Sequence, residues 1–315
     1  MPRVSVVIPT YNSAKFLPCA INSVINQTFK DFEIIVIDDG SSDDTQKILT
    51  PYLKDLRYLY QKNSGSAKAR NVGINKANGE WIAFLDSDDY WENNHIEMMI
   101  SKQKKNPEAD LIYGGKCWID QYGNGIKDVP LQSAYPEGWI FSKLFYDNYI
   151  STSSTVFARR SVLIDLGGFN EQPVFRNAQD YDMWLRLAAN SIIVSIPELI
   201  INYRRHDNNK TLDSAGKTKG VLAALNNAVC MVLANKVHEN NHPEQINVIK
   251  RMTGVYKDFT MGLFYIGNYK EVRKIAFEGI KKKYFSLNLI IIWCLSWIKP
   301  EFINKLRKWR KLVKS

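Results

Sequence analysis

Cysteine is scarce and scattered: Cys19, Cys117, Cys230 and Cys294 are the only four in 315 residues, and no two form a C-x-x-C pair. That spacing excludes a zinc-ribbon framework and a small disulfide scaffold, and it fits a reducing compartment. The apolar run Tyr284 to Ile298 is free of charge for fifteen residues, short of the roughly 17 to 25 that a spanning helix needs. The start, MPRVSVVIPTYN, has no basic segment, apolar core and cleavage site of a secretory signal, so synthesis in the cytosol is expected. Charge of one sign is also missing from most of the chain. The net charge is +10, yet 29 basic residues balance 29 acidic ones up to Ile266, and the excess sits in Gly267 to Ser315 with 13 against 3. A neutral body excludes a basic groove for reading nucleic acid, and leaves the charge as a property of the tail.

What is present reads as an α/β protein. Hydrophobic residues make up 45% of the chain and charged ones 23%, as in a folded globular protein. Val4 to Ile8 and Glu33 to Ile37 are β-branched runs ended by polar or proline clusters, the pattern of buried parallel strands. Ala14 to Phe29 carries apolar residues at helical spacing between them. Arg57 to Tyr60 and Trp81 to Leu85 read as further strands, with Thr45 to Leu53 and Ala67 to Ala77 as helices. Alternation of this kind implies a parallel sheet with ligands at the carboxyl ends of its strands. From Leu111 the pattern loosens, and Gly114 to Gly138 reads as connecting loops with short strands. Val156 to Ala158, Ile192 to Ile196 and Leu199 to Tyr203 are later strands, and Ala178 to Ala189 is a helix whose first turn holds Asp180 and Asp182.

Two acidic loops fall on one rim of such a sheet. Asp38-Asp39 follows the second strand, and Asp86-Ser87-Asp88-Asp89 follows the fourth. Either alone is an ordinary solvated turn with capping residues. Together they are less ordinary, and the second, directly after an apolar strand, offers hard oxygen ligands without histidine or cysteine, suited to Mg2+ or Mn2+ shared with a phosphate.

Six ordered motifs carry a family resemblance: VSVVIPTYN, the Ile37 to Thr45 run IDDGSSDDT, NSGSAKARNVGINKANGEWIAFLDSDD from Asn63 to Asp89, GGFNE from Gly167, QDYDMWLRL, and YRRH at Tyr203 to His206. Over roughly residues 2 to 212 the chain resembles a family 2 glycosyltransferase. The resemblance implies a GT-A fold, Rossmann-like with a mostly parallel sheet flanked by helices, here with a C-terminal helical extension. It implies inverting transfer of a sugar from a nucleotide diphosphate, uracil being the commonest base. Residue by residue, it puts Pro9, Thr10 and Tyr11 in the nucleotide pocket, Asp39 at the base edge, and Gly65 and Arg70 over the nucleotide. Asp86, Ser87 and Asp88 match the DxD motif, with Asp88 as metal ligand, Asp86 near the ribose, sugar or metal, and His206 reaching the diphosphate or the metal. Asp180 matches the catalytic base. Of Arg204 and Arg205, either of which could clamp phosphate oxygens, at most one is expected at the donor, and Arg204 is the candidate. Gln179 stands where the family often has Glu. Trp184 either stacks on an acceptor sugar or belongs to the core.

Chemistry favours the same assignments. A divalent ion neutralises charge on a leaving diphosphate. A carboxylate at a helix N-terminus stays ionised and can take the acceptor's proton. The expected division is a catalytic domain over 1–220, with a nucleotide half to about 110 and an acceptor half over 111–220, and a helical, basic region over 221–315. There Phe302 to Val313 alternates Phe302, Ile303, Leu306, Trp309 and Val313 with lysines and arginines. Such a helix lies on an anionic membrane or packs its apolar stripe on the body. The leading expectation is a non-processive enzyme, peripheral at the cytoplasmic face of a membrane, acting on a glycan or lipid-linked glycan. Two alternatives are a sugar-nucleotide nucleotidyltransferase, whose glycine-rich phosphate loop is missing where IPTYNSAK stands, and a catalytically inactive membrane-bound assembly partner.

Overall fold

A computed structural model describes residues 1–127, 129, 132–206, 214–284 and 286–297. The chain forms two compact units, Met1–Pro243 and Glu244–Ser315.

The first unit opens with β1 (Val4–Thr10), α1 (Leu17–Ile25), β2 (Phe32–Asp38), α2 (Thr45–Leu49), β3 (Arg57–Tyr60), α3 (Ser66–Lys76) and β4 (Trp81–Phe84). All seven residues of β1 are buried, as expected for a strand covered on both faces. α1 buries Leu17, Ala20, Ile21 and Val24 along one stripe, and each such aliphatic side chain contributes about 1.5–3 kcal/mol on burial. β1 pairs in parallel with β2 and β4, and β2 with β3. The carboxyl ends of β1, β2 and β4 therefore open on one rim, the place where α/β sheets bind ligands.

The chain continues through β5 (Tyr90–Trp91), α4 (His95–Lys105), β6 (Ala109–Ile119), α5 (Phe141–Tyr146), β7 (Val156–Arg159), α6 (Arg160–Asp165), α7 (Gln179–Ala188), β8 (Ile192–Arg204) and α8 (Ser214–Leu233). The eight strands form one sheet in the order β3-β2-β1-β4-β7-β6-β8-β5. β7 runs antiparallel to β4 and β6, which makes the sheet mixed, as in a GT-A fold. Trp81 stacks on Phe157 across the β4–β7 junction at 4.8 Å.

β6 differs from the loop expected over its second half. Gly114 and Gly115 lie inside this strand because β8 comes too close for side chains: an added Cβ would meet Ile200 at 2.5 Å and the carbonyl oxygens of Pro197 and Glu198 at 2.7 Å. β8 in turn is one strand rather than two. Its register with β6 jumps from Ile196 to Leu199, so Pro197 sits in a bulge where no ladder hydrogen bond is asked of it.

The division expected after residue 220 falls within α8. That helix belongs to the first unit: it packs on α7, and Asn227 Nδ2 donates to Asp182 Oδ1 at 2.9 Å. The second unit is helical, with α9 (Val248–Tyr265), α10 (Tyr269–Lys281) and α11 (Leu287–Leu295) packed on one another. Gly279 of α10 lets the Tyr256 ring approach to within 2.8 Å of where a Cβ would stand, and the Tyr256 hydroxyl donates to Glu278 at 2.9 Å. Among the described residues no helix is long and apolar enough to cross a membrane. The segment Phe302 to Val313 lies outside the described residues.

Candidate active site

A cleft of about 270 Å³ opens on the rim of the first unit. One wall comes from the end of β1. Pro9, Thr10 and Tyr11 line it, and Asn12 follows in the left-handed region at φ 50°. Its side-chain oxygen accepts from Ser42 N at 2.8 Å, which ties this turn to the one after β2. Asp39 also lines the cleft, but its carboxylate is engaged: Oδ1 accepts from Gln61 Nε2 at 2.7 Å and Ser64 N at 2.8 Å, and Oδ2 accepts from Gly65 N at 2.8 Å. Asp39 thereby folds the turn that starts α3. Gly65 caps that helix at φ 97°, ψ 156°, a conformation essentially reserved for glycine.

The floor is the loop after β4. Arg70, on α3, donates to Asp86 Oδ1 at 2.5 Å, with the guanidinium almost wholly buried. With its amide oriented to satisfy its neighbours, Gln179 accepts from Arg70 at 3.2 Å, so the residue standing in place of Glu joins the same network. Ser87 donates to Ser13 at 2.9 Å. Asp88 Oδ2 lies 3.0 Å from His206 Nε2. Asp89 is sealed beneath them, accepting from Ser154 Oγ at 2.6 Å and Arg204 N at 2.9 Å. Burial drives its pKa well above the ordinary carboxylate value, reinforced by the charges of Asp88 and Asp86. The Ser154 hydroxyl also accepts from Asp86 N at 3.0 Å, which makes Ser154 the pin between the loop and the chain entering β7.

The opposite wall is the start of α7, where Asp180 faces the cleft with Arg176, Asn177 and Gln179. Burial raises the Asp180 pKa, opposed by Arg70 and assisted by Asp86. The helix is held by two clamps. Arg186 donates to Asp182 Oδ2 and to the carbonyl oxygens of Leu166 and Gly168, each at 2.9 Å. Asn71 of α3 exchanges hydrogen bonds with the Phe169 backbone at 2.7 and 2.9 Å. Gly168 is required there, since a Cβ would stand 2.5 Å from Asn71 Oδ1. Trp184 is fully buried against Phe84 and Phe169, so it is core and does not meet an acceptor.

Most of the residues expected at the site meet in this one cleft: Pro9, Thr10, Tyr11, Asp39, Arg70, Asp86, Ser87, Asp88, Asp180 and His206 all line it. Gly65 acts one step back, through Asp39. Arg204 is not a wall residue. It is buried, its Nε donates to the Asp88 carbonyl at 2.8 Å and its Nη1 to the carbonyls of Asp120 and Gln121 at 3.3 Å. Its guanidinium ties the Asp86–Asp89 loop to the turn after β6. The sequence alone gives Asp89 and Ser154 no role of their own: the Asp86–Asp89 run and the serines and threonines over Ser151–Thr155 are visible in it, but their adjacency is not.

Among the described residues no group of three or more His, Cys, Asp or Glu side chains is assembled as a metal site. Asp88 and His206 nevertheless present a carboxylate and an imidazole at one point. One or two protein ligands completed by substrate phosphates are what Mg2+ and Mn2+ commonly accept, so the donor set fits such an ion.

Comparison with known proteins bears on this arrangement. The chain is 32% identical over 228 residues to an uncharacterized glycosyltransferase of Methanocaldococcus jannaschii, covering 69% of this chain and 76% of that one. It is 31% identical over 215 residues to the chondroitin synthase of Escherichia coli, covering 67% of this chain and only 30% of the synthase. It also matches 34% of the length of an uncharacterized glycosyltransferase of Rickettsia conorii, at 33% identity over 210 residues, 64% of this chain. In structure it is similar to S. aureus TarS 1-349 in complex with UDP-GlcNAc, with a TM-score of 0.59 at 21% identity over 93% of this chain and 79% of that one. The mannosyltransferase PcManGT from Pyrobaculum calidifontis in complex with GDP-Man and Mn2+ gives 0.56 at 15% identity, covering 95% and 81%. At such identity these two likenesses speak for the GT-A fold. The family model described as glycosyl transferase family 2 matches residues 5–167, and with the cleft built from the same segments the chain belongs to glycosyltransferase family 2.

Proposed function

We propose that the first unit is the catalytic domain and transfers a sugar, with inversion, from a nucleoside diphosphate donor to a hydroxyl of a glycan or lipid-linked glycan. The observation that carries this reading is the placement of Asp180 across one cleft from the Asp88–His206 pair. The donor lies with its nucleotide against Pro9–Tyr11 and the Asp39 turn, and its diphosphate toward Asp88 and His206. A carboxylate has about four acceptor positions, and Asp39 uses three within the protein, which leaves capacity for one donor group of a base such as uracil. A bound Mg2+ or Mn2+, held by Asp88 and His206, would supply neutralisation of the diphosphate charge as the leaving group departs.

Asp180 accepts the acceptor's proton. The hydroxyl oxygen forms its bond to the anomeric carbon on the face away from the diphosphate, the bond to the phosphate oxygen breaks, and its electrons leave with the diphosphate. A raised pKa suits this base because transfer is most effective when donor and acceptor of the proton are closely matched. Arg70 holds Asp86 while its charge opposes the rise that burial imposes on the Asp180 pKa.

We further propose that the second unit associates with an anionic membrane surface at the cytoplasmic face. Lys281, Lys282 and Lys283 cluster at the end of α10, and Phe277, Leu287, Ile291 and Trp297 are exposed apolar side chains of the same unit. Basic clusters beside apolar side chains are attracted to anionic headgroups by about 1 kcal/mol per charge.

The test of transfer is release of nucleotide from a panel of UDP- and GDP-sugars with Mn2+ present. Free nucleoside diphosphate is the expected product. Pyrophosphate as product, or no turnover of any donor, overturns the reading.

A further inference from the structure

Lys116 belongs to none of the machinery above. Alternation along β6 puts Lys116 and Trp118 on one face, and Trp118 is in register with Tyr203 of β8. The three side chains close on one another. The Lys116 ammonium lies 4.5 Å from the Trp118 ring centroid and 4.3 Å from that of Tyr203, and the two rings meet edge to face at 4.9 Å. Tyr203 is also a wall of the cleft. Among the described residues this ammonium makes no hydrogen bond and no ion pair.

A half-buried cation in that position is costly for packing alone, since a charge drawn out of water is penalised unless it is paired, and a methionine or leucine would fill the same collar. Two aromatic faces offset only part of that penalty. Burial holds the Lys116 pKa down to about 8, and the positive charge of Lys217 on α8 pushes in the same direction against Asp89 and Asp180. Tyr203 lines the same cleft as Asp180, so an anion reaching this ammonium from the cleft side would give it the partner it lacks.

We propose that Lys116, collared by Trp118 and Tyr203, is an acceptor subsite for a sugar bearing an anionic group, a carboxylate or a phosphate ester, close to the attacking hydroxyl. The proposal rests on the reading of Asp180 as the acceptor-side base. Tyr203, a wall residue, holds the ammonium next to the cleft, and the charge selects the acceptor by pairing with its oxyanion. Neutral glycans leave the cation unpaired and are disfavoured.

The experiment uses the full chain and three probes: p-nitrophenyl β-glucoside, p-nitrophenyl β-glucuronide and p-nitrophenyl β-glucoside 6-phosphate. Trace acetylation with acetic anhydride, read at Lys116 by peptide mass spectrometry, reports occupancy without any donor. The glucuronide or the 6-phosphate, at about four times its Kd or above, is expected to slow labelling about fivefold or more, as a site about four-fifths filled with ligand does, while the glucoside does not. Which of the two protects better tells carboxylate from phosphate. With the donor that supports turnover, wild-type enzyme is expected to prefer an anionic acceptor about tenfold in kcat/KM; Lys116→Met erases that ratio and Lys116→Arg restores most of it. Equal labelling with all three probes, or a preference that survives Lys116→Met, overturns the proposal. Absence of turnover with every donor sinks the transfer reading instead, and the labelling result on wild-type protein still decides this one.

Discussion

The two acidic loops on the rim look alike in sequence and are used in opposite ways. After β2, Asp38 accepts from the Ser41 backbone and the Tyr58 hydroxyl, and Asp39 from Gln61, Ser64 and Gly65. These partners lie within the same stretch of chain, so the carboxylates fold their own loop. After β4, Asp86 meets Arg70 of α3, and Asp88 meets His206 beyond β8. Those partners come from separate elements and converge on the cleft. An acidic cluster satisfied by groups a short way along its own stretch of chain is scaffold, whereas one satisfied by side chains from distant elements is placed for chemistry. Asp89 qualifies the rule, since its partners Ser154 and Arg204 are distant too, yet it is sealed from the cleft and serves the second loop as Asp38 serves the first.

Substitutions sharpen the contrast in order of expected effect. Asp88→Asn should cost the most, a thousandfold or so in kcat, because several kcal/mol of charge stabilisation on the leaving group goes with that carboxylate; nucleotide release under saturating donor measures it. Asp89→Ala should leave the Ser154 hydroxyl and the Arg204 N–H without their acceptor. The cost expected is about 1–3 kcal/mol of stability, seen as a lower midpoint in urea melts. Gly65→Ala should cost a similar or smaller amount, of order 1–3 kcal/mol, through the backbone alone, since nothing lies within 4 Å of the added Cβ; its sign in activity is a higher donor KM. A Gly65→Ala protein as stable as wild type, with the same KM, would break the claim that the first loop works through Asp39.

The pH dependence is a smaller effect with a definite sign. Asp180 acts only when ionised, and burial raises its pKa above the ordinary 3.8. The acid limb of kcat/KM should therefore fall at a pH above that value, activity rising as pH increases through it. An acid limb at or below the ordinary aspartate range would place the base elsewhere.

Much of this was legible in the chain, for reasons that can be located. β1, β2 and β4 are short apolar runs ended by polar clusters, and a strand buried on both faces advertises itself that way. The ordered motifs brought Asp39, Asp86, Asp88, Asp180 and His206 to one cleft. What escaped was adjacency. Gly114 and Gly115 read as loop because their reason for being glycine is β8, whose Ile200 side chain crowds the first and whose Pro197 and Glu198 carbonyls crowd the second, some eighty residues later. Arg204 read as a phosphate clamp because nothing local reveals the carbonyls of Asp88, Asp120 and Gln121 around it. Lys116 gave no signal at all, since its aromatic collar needs β6 and β8 in register.

The most direct test sets Asp180→Asn beside Asp39→Asn, with kcat under saturating donor and donor affinity by calorimetry read on the same preparations. The account predicts that Asp180→Asn loses about 10²- to 10⁴-fold in kcat while binding donor as tightly as wild type. Asp39→Asn weakens donor binding and keeps most of kcat. Near-normal transfer by Asp180→Asn, or equal loss of kcat in both variants, would contradict it.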